Sequence, residues 1–348
     1  MFDSFGFETL TPRIASLWFG LGLGLVFGAL AEATRFCLRR AIAGEVGERL
    51  PAAALWGLAL AVALAGTQGA VALGWIDFAE HRFHAPQMPV LALGLGGLLF
   101  GAGMVLARGC AARLTVLAAT GNLRAAAVIL VLAVIAAATM RGVLAPMRQA
   151  LSGVTMPAPE FGTLALPISL IGLALAFWAV RKARVSALQV LAGVAIGLLV
   201  PLAWVGTGFV LQDDFDPIAV EALSFTAPAA DSLFYLVAAT AVDPGFGVAL
   251  FAGVLIGAAI SAASTGRARL QSFATPRETG RYALGAVLMG FGGVLAGGCT
   301  LGAGLSGVST LSASALLALV AILAGGWATQ RMLNASFSGS GAPSARPA

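Results

Sequence analysis

Two of the three cysteines in this 348-residue chain end copies of one ten-residue motif. Gly101 to Cys110 reads GAGMVLARGC and Gly290 to Cys299 reads GFGGVLAGGC, with seven of ten positions identical at a constant offset of 189. Leu95, Gly96 and Leu99 match Leu284, Gly285 and Leu288 at the same offset. The spacing is too long for a solenoid period and reads as an internal duplication. The third cysteine, Cys37, lies in ATRFCLRRA. In all three segments an apolar run gives way to a polar or glycine-rich stretch. Glycines at such a break loosen the helix and let a substrate approach the backbone. A new helical turn starting at the cysteine would aim its free N–H groups at the same spot, which favours an anion. Broken helices are tolerated at membrane depth only where they line a cavity or are buried in protein. The residues expected to bind are therefore Cys37, Cys110 and Cys299, with Gly109, Gly298, Thr300 and Arg108 beside them. Arg108 and Arg113 also carry a plainer reading as orientation signals, and Arg35, Arg39 and Arg40 as a solvated cluster. No catalytic residue, metal or cofactor is expected, because three cysteines cannot pair completely and two histidines make no plausible zinc or haem site.

The elements that must hold these residues are membrane helices. The chain is 59% hydrophobic and 10% charged, with a mean hydropathy of +0.95, and no soluble domain could cover such a surface. Its 45 glycines suit helices that pack closely through small residues. The net charge of +5 argues poorly for nucleic acid, since the arginines sit between apolar stretches and few aromatics accompany them. Long apolar runs give about nine spans, near 14–33, 52–75, 89–108, 122–140, 164–180, 186–204, 246–264, 281–297 and 311–329. Asn122 reads as the N-cap of the fourth. Phe225–Ala239 is expected to form a short interfacial or buried helix. His81 and His84 read as ordinary surface residues of a polar loop, and Glu32 as a helix-end partner for Arg35. No cleavable signal peptide is evident, because the first apolar run follows Asp3 and Glu8 and leads into a basic segment. The whole is expected to be one transmembrane domain, residues 1–334, with repeat halves at roughly 14–141 and 164–329 and a disordered tail at 335–348.

Placing the N-terminus outside puts sixteen of the twenty basic residues on the cytoplasmic side, leaving Arg13, Arg82, Arg141 and Arg148 outside. The two cysteine motifs then enter from opposite faces, so the copies are inverted. Gly24–Gly28 and Gly253–Gly257 also match, but not in a way that fits simple inversion.

RFCLRRA, GMVLARGCAARL with the following TGNL, and GFGGVLAGGC resemble the signature segments of the YeeE/YedE family of membrane proteins of sulfur metabolism, which includes thiosulfate transporters. The resemblance covers roughly Ala15 to Trp327. It implies an hourglass-like, all-α integral membrane protein of about nine transmembrane helices plus short re-entrant helices, with an internal inverted repeat. It also implies that Cys37, Cys110 and Cys299 mark a substrate path in a multi-pass protein of the bacterial inner membrane. A separate cytoplasmic TusA-like sulfurtransferase would be the protein partner. The chemistry agrees. A thiosulfate-like dianion is too costly to strip of water unless something replaces its shell, and fully compensating arginines would hold it too tightly. Neutral thiols are weak donors suited to a soft terminal sulfur; weak stations in series let an anion enter and leave. Two rivals stand: a transporter or channel for another small anion, such as sulfite or a selenium compound, with incidental cysteines, or a thiol-disulfide redox protein using Cys110 and Cys299. The redox reading lacks a CxxC motif. A permeation path predicts three thiols spread apart.

Overall fold

The computed structural model describes residues 11–159, 165–213 and 216–338. Among these, nine helices are long and apolar enough to cross a membrane, as the sequence predicts. Three of these spans are broken by a turn, and the sixth runs on unbroken into a π-helical turn, Gly206–Val210. The first joins α1 (Pro12–Thr34) to the short α2 (Leu38–Ala43), the third joins α4 (Val90–Leu106) to α5 (Ala111–Ala119), and the eighth joins α12 (Pro276–Leu295) to a π-helical segment, Thr300–Gly307. The others are α3 (Val46–Ala72), α6 (Leu123–Arg141), α8 (Ala165–Lys182), α9 (Ala187–Val205), α11 (Phe246–Ser264) and α13 (Ala313–Ser338). A short helix α7 (Ala145–Ser152) and the anticipated short α10 (Thr226–Val237) complete the set, with a two-residue ribbon pairing Gln87–Met88 to Met156–Pro157. Helix α13 carries the first four residues of the expected tail, and residues 339–348 lie outside the described set.

Local chemistry sets the helix starts. Thr11 accepts the N–H of Ile14 with Pro12 in the first turn, and Thr275 caps α12 in the same way before Pro276. Asn122 accepts the Ala125 N–H at 3.1 Å and opens α6, as its position predicts. Apolar side chains such as Leu170, Ile171, Leu175 and Trp178 stay exposed on α8, the surface that hydrocarbon requires.

Glycine seams hold the helices together. A Cβ on Gly103 would stand 2.6 Å from the carbonyl oxygen of Gly285, and one on Gly292 would stand 2.6 Å from that of Gly96. Gly96 and Gly285 are equivalent by the 189-residue offset, as are Gly103 and Gly292, so α4 and α12 meet through one self-complementary, antiparallel contact. Only inverted copies related by a two-fold in the membrane plane pack this way. The order α1–α2–α3–α4–α5–α6 recurs as α9–α10–α11–α12–π segment–α13, and the packing partners exchange accordingly. Helix α1 lies on α11 as α3 lies on α9, and α4 lies on α13 as α12 lies on α6. Helix α8, packed on α3, stands outside this scheme. The Gly24–Gly28 and Gly253–Gly257 match has another origin: a Cβ on Gly253 would come 3.0 Å from the Gly24 Cα, so these glycines are the two sides of the α1–α11 seam.

Candidate functional site at the helix breaks

All three cysteines occupy the N-cap position of a helical segment: Cys37 before α2, Cys110 before α5 and Cys299 before the π segment. Each is reached by the same kind of turn. Helix α1 ends with Arg35 at φ 54° and Phe36 donating to the Ala31 carbonyl at 3.2 Å. Helix α4 ends with Arg108 at φ 57° and Gly109 donating to Met104 at 3.0 Å. The left-handed residue two places before the cysteine closes the old helix so that the next can begin. Before Cys299 the left-handed residues are Gly297 at φ 72° and Gly298 at φ 158°. There a Cβ on Gly298 would also stand 2.7 Å from the Ala303 nitrogen, so only glycine fits. Gly109 has a different task, with a Cβ meeting the Leu114 side chain at 3.0 Å, which keeps the turn close to α5.

The thiols are all free and buried. Cys37 and Cys110 touch, their sulfurs 3.9 Å apart. The Cys299 sulfur accepts the Gly302 N–H at 3.4 Å, and the N–H groups of Leu301 and Phe225 also lie within its reach. Thr300, 1% exposed, links the copies, because its hydroxyl is within hydrogen-bonding reach of Cys110. The expected site residues other than Arg108 thus lie in the interior, with one correction to the arrangement of the thiols. The three thiols are not evenly spread: Cys37 and Cys110 form a contacting pair that does not include Cys299.

Arg108 departs from the expected site. Its side chain is exposed and interacts electrostatically with Arg39 and Arg281, forming a basic cluster at the end of the break. The guanidinium nearest the thiols belongs instead to Arg113, which donates to the Ala31 carbonyl at 3.2 Å and lies close enough to Cys37 and Cys110 to interact with both. Its position three residues into α5 was visible in the sequence, but a basic residue beside a span reads first as an orientation signal. Glu32 also has a different partner from the one expected: it pairs with Arg267 at 2.9 Å and accepts from Ser261 at 2.7 Å.

On the face that carries Arg13, a vestibule of about 1170 Å³ runs in to Gly302 and Ser306 of the π segment. His81, Arg82, Arg141 and Glu221 line it. The histidines are more than surface residues: His81 stands edge-on to Trp204 with centroids 5.1 Å apart, and His84 Nε2 lies 3.1 Å from the Thr310 hydroxyl. Desolvation, reinforced by the Arg82 charge, lowers the His81 pKa to about 4, and burial raises Glu221 above the usual carboxylate range against the opposing pull of Arg82. A side chamber of about 220 Å³ shares Arg82 and Arg141 and reaches Gly297 and Gly298.

Such a site places buried thiols at depth behind a vestibule whose lining mixes three arginines, Arg13, Arg82 and Arg141, with the carboxylates Asp77, Glu80, Asp216, Glu221, Asp231 and Asp243. No group of His, Cys, Asp and Glu suited to a metal ion occurs among the described residues. The chain is 27% identical over 341 residues to the thiosulfate transporter TsuA of Escherichia coli (strain K12), covering 88% of this chain and 92% of that protein. It is 36% identical over 75 residues to the thiosulfate transporter TsuA of Spirochaeta thermophila, covering 22% of this chain and 23% of the other. The family model described as sulphur transport matches residues 33–328, most of the chain and all three cysteines, and this protein belongs to that family.

Proposed function

We propose that the protein imports thiosulfate, or a closely related sulfur-containing anion, across the bacterial inner membrane along a path marked by Cys299, Cys110 and Cys37. The observation that carries this reading is the placing of all three buried thiols as N-caps at breaks in two inverted copies. A dianion at such a break exchanges water for S–H donors, and at Cys110 also for N–H groups of the helical turn that follows. Thiolates there would repel it, so the thiols act as neutral hydrogen-bonding partners and not as nucleophiles. Arg113 supplies one fixed positive charge beside the Cys37–Cys110 pair, enough to draw the anion inward without trapping it. The basic cluster of exposed Arg108 with the partly buried Arg39 and Arg281 then receives it at the cytoplasmic mouth, where a separate TusA-like sulfurtransferase would take it up.

The test is uptake of labelled thiosulfate by cells lacking their own importers. Cys110→Ala and Cys299→Ala should reduce uptake at least tenfold with near-normal membrane levels, the loss of a hydrogen bond to a charged group. Serine, a donor without softness, should retain more activity at one of the two positions. Wild-type uptake in both alanine variants would return these thiols to a packing role. One observation favours a second reading. The 3.9 Å contact makes Cys37 and Cys110 the pair that a redox protein would cycle, in place of the repeat-related Cys110 and Cys299. Protein in liposomes with no redox partner should nevertheless move thiosulfate with all three thiols reduced. A substrate-dependent Cys37–Cys110 disulfide with no flux would establish the redox reading instead.

A further inference from the structure

The inverted repeat has four breaks, and only three carry a cysteine. The fourth precedes α10, the counterpart of α2. At the 189-residue offset Ala33 and Phe36 recur as Ala222 and Phe225, and Cys37 falls on Thr226. Thr226 is 2% exposed, and its hydroxyl has no hydrogen-bond partner in the protein. An unpaired buried hydroxyl costs free energy unless something else satisfies it. Thr226 lies on the wall of the 220 Å³ side chamber, together with Arg82, Arg141 and Arg148. The Arg148 Nε is likewise buried without a partner, whereas Arg141 pairs with Asp231 at 2.8 Å. The second copy also makes room for the hydroxyl. Where the first motif has Met104 the second has Gly293, and a Cβ there would stand 2.9 Å from the Thr226 oxygen. The Phe225 N–H reaches the Cys299 sulfur, so this break and the Cys299 break form one station, as Cys37 and Cys110 form the other.

We propose that Thr226 is a fourth substrate-binding group, which with Arg82 and Arg148 forms a subsite for the oxygen end of the incoming oxyanion. This deepens the transport reading and rests on it. A hydroxyl and guanidinium groups are hard donors, matched to sulfonate-type oxygens, while the Cys37–Cys110 pair is soft and matched to a terminal sulfur. The two stations thus recognise opposite ends of one anion. The vestibule station accepts any small oxyanion, and the thiol pair selects for sulfur.

Two measurements test this. In uptake kinetics, Thr226→Val should raise the KM for thiosulfate about tenfold, the loss of one hydrogen bond to an anion, with Vmax nearly unchanged, and Thr226→Ser should restore it. In Thr226→Cys, a membrane-impermeant thiol reagent added from the vestibule side should label the protein above the wild-type background. Both thiosulfate and sulfate should slow that labelling, although only thiosulfate is transported. An unchanged KM in Thr226→Val overturns the proposal, as does failure of Thr226→Cys to label or labelling that neither anion slows. If Thr226→Val does not reach the membrane, the labelling result decides alone. If the wild-type protein moves no thiosulfate, the transport reading falls, while protection of Thr226→Cys by oxyanions still decides whether the subsite exists.

Discussion

Arg113 and Arg108 are five residues apart and do opposite things. Arg108 holds a left-handed turn with its charge in the open, and Arg113 turns its guanidinium back toward two buried thiols. In a linear sequence both are simply arginines beside a span, which is why the turn residue was expected at the site and the inner one was not. The cysteines were legible because their residue type is rare here and their settings repeat. Thr226 was not, because the duplication preserved its position but changed its chemistry, leaving Phe36 and Phe225 as the readable trace. The vestibule residues yield a pH prediction. His81, with a pKa near 4, is neutral at physiological pH and gives no attraction to an anion. Glu221, held above the ordinary carboxylate range by burial, takes up its proton earlier than a free glutamate as pH falls. Its negative charge is thus lost on acidification at a higher pH than for a free glutamate, and uptake at subsaturating thiosulfate should rise as pH is lowered over the mildly acidic range. Glu221→Gln should already show the higher rate at pH 7.5 and a flatter profile, and His81→Ala should leave the slope unchanged in this range. A full slope in Glu221→Gln would assign the dependence to another group.

At the level of elements, apolar length gave the nine spans, but it ended the first, third and eighth before their cysteines. Hydropathy reports what a segment can bury, whereas α2, α5 and the π segment are set by turn geometry and burial inside the protein. That geometry is not itself special. Arg184 at φ 51° precedes Ser186, the cap of α9, in the same kind of turn with no thiol. What marks the site is a thiol in the cap and a position inside the fold. The glycines divide similarly: those of the α1–α11 seam resembled a repeat and are packing, while those of α4 and α12 are both. The self-complementary α4–α12 contact is the most sensitive place to damage the assembly. Gly103→Val and Gly292→Val each push a branched side chain against the facing backbone, and each should destabilise the protein by about 1–3 kcal/mol or more. By symmetry the two losses should be similar. Gly94→Ala, with nothing within 4 Å of the new Cβ, should be nearly neutral. Thermal unfolding of detergent-purified variants measures this, and a neutral Gly103→Val would mean that α4 and α12 do not meet as described.

For the whole molecule, contacts between distant loops sort the ends of the spans into two faces. Arg13 pairs with Asp243 at 3.0 Å, and the Gln87–Met88 strand pairs with Met156–Pro157, so these segments share one face with the vestibule. On the other, Arg269 and Gln271 bond to the Thr120 and Gly121 carbonyls and Arg124 pairs with Glu278 at 2.8 Å. Alternation of the spans then assigns every remaining end. Arg13, Arg82, Arg141 and Arg148 fall on the vestibule face, and the other basic residues of the described chain fall on the opposite one. The charge asymmetry read from sequence therefore survives as a property of the folded molecule, and the positive-inside rule turns it into a direction. The vestibule, with Thr226 and Cys299 behind it, should face the periplasm, and the Cys37–Cys110 pair should open toward the cytoplasm. This orientation gives the two stations their order, with oxygen recognition at entry and sulfur recognition before release. Because the faces are fixed relative to one another, a few reporters decide the matter. Fusions after Trp75 and within Thr207–Gly245 should report outside, and fusions after Arg184 and near Arg277 inside. A consistent reversal would make the vestibule the exit and the protein an exporter by the same geometry. Equal signals from both faces at every site would mean dual insertion. Since the halves are already inverted copies, either face would then present one station of each kind, and directional import would have to come from the substrate gradient alone.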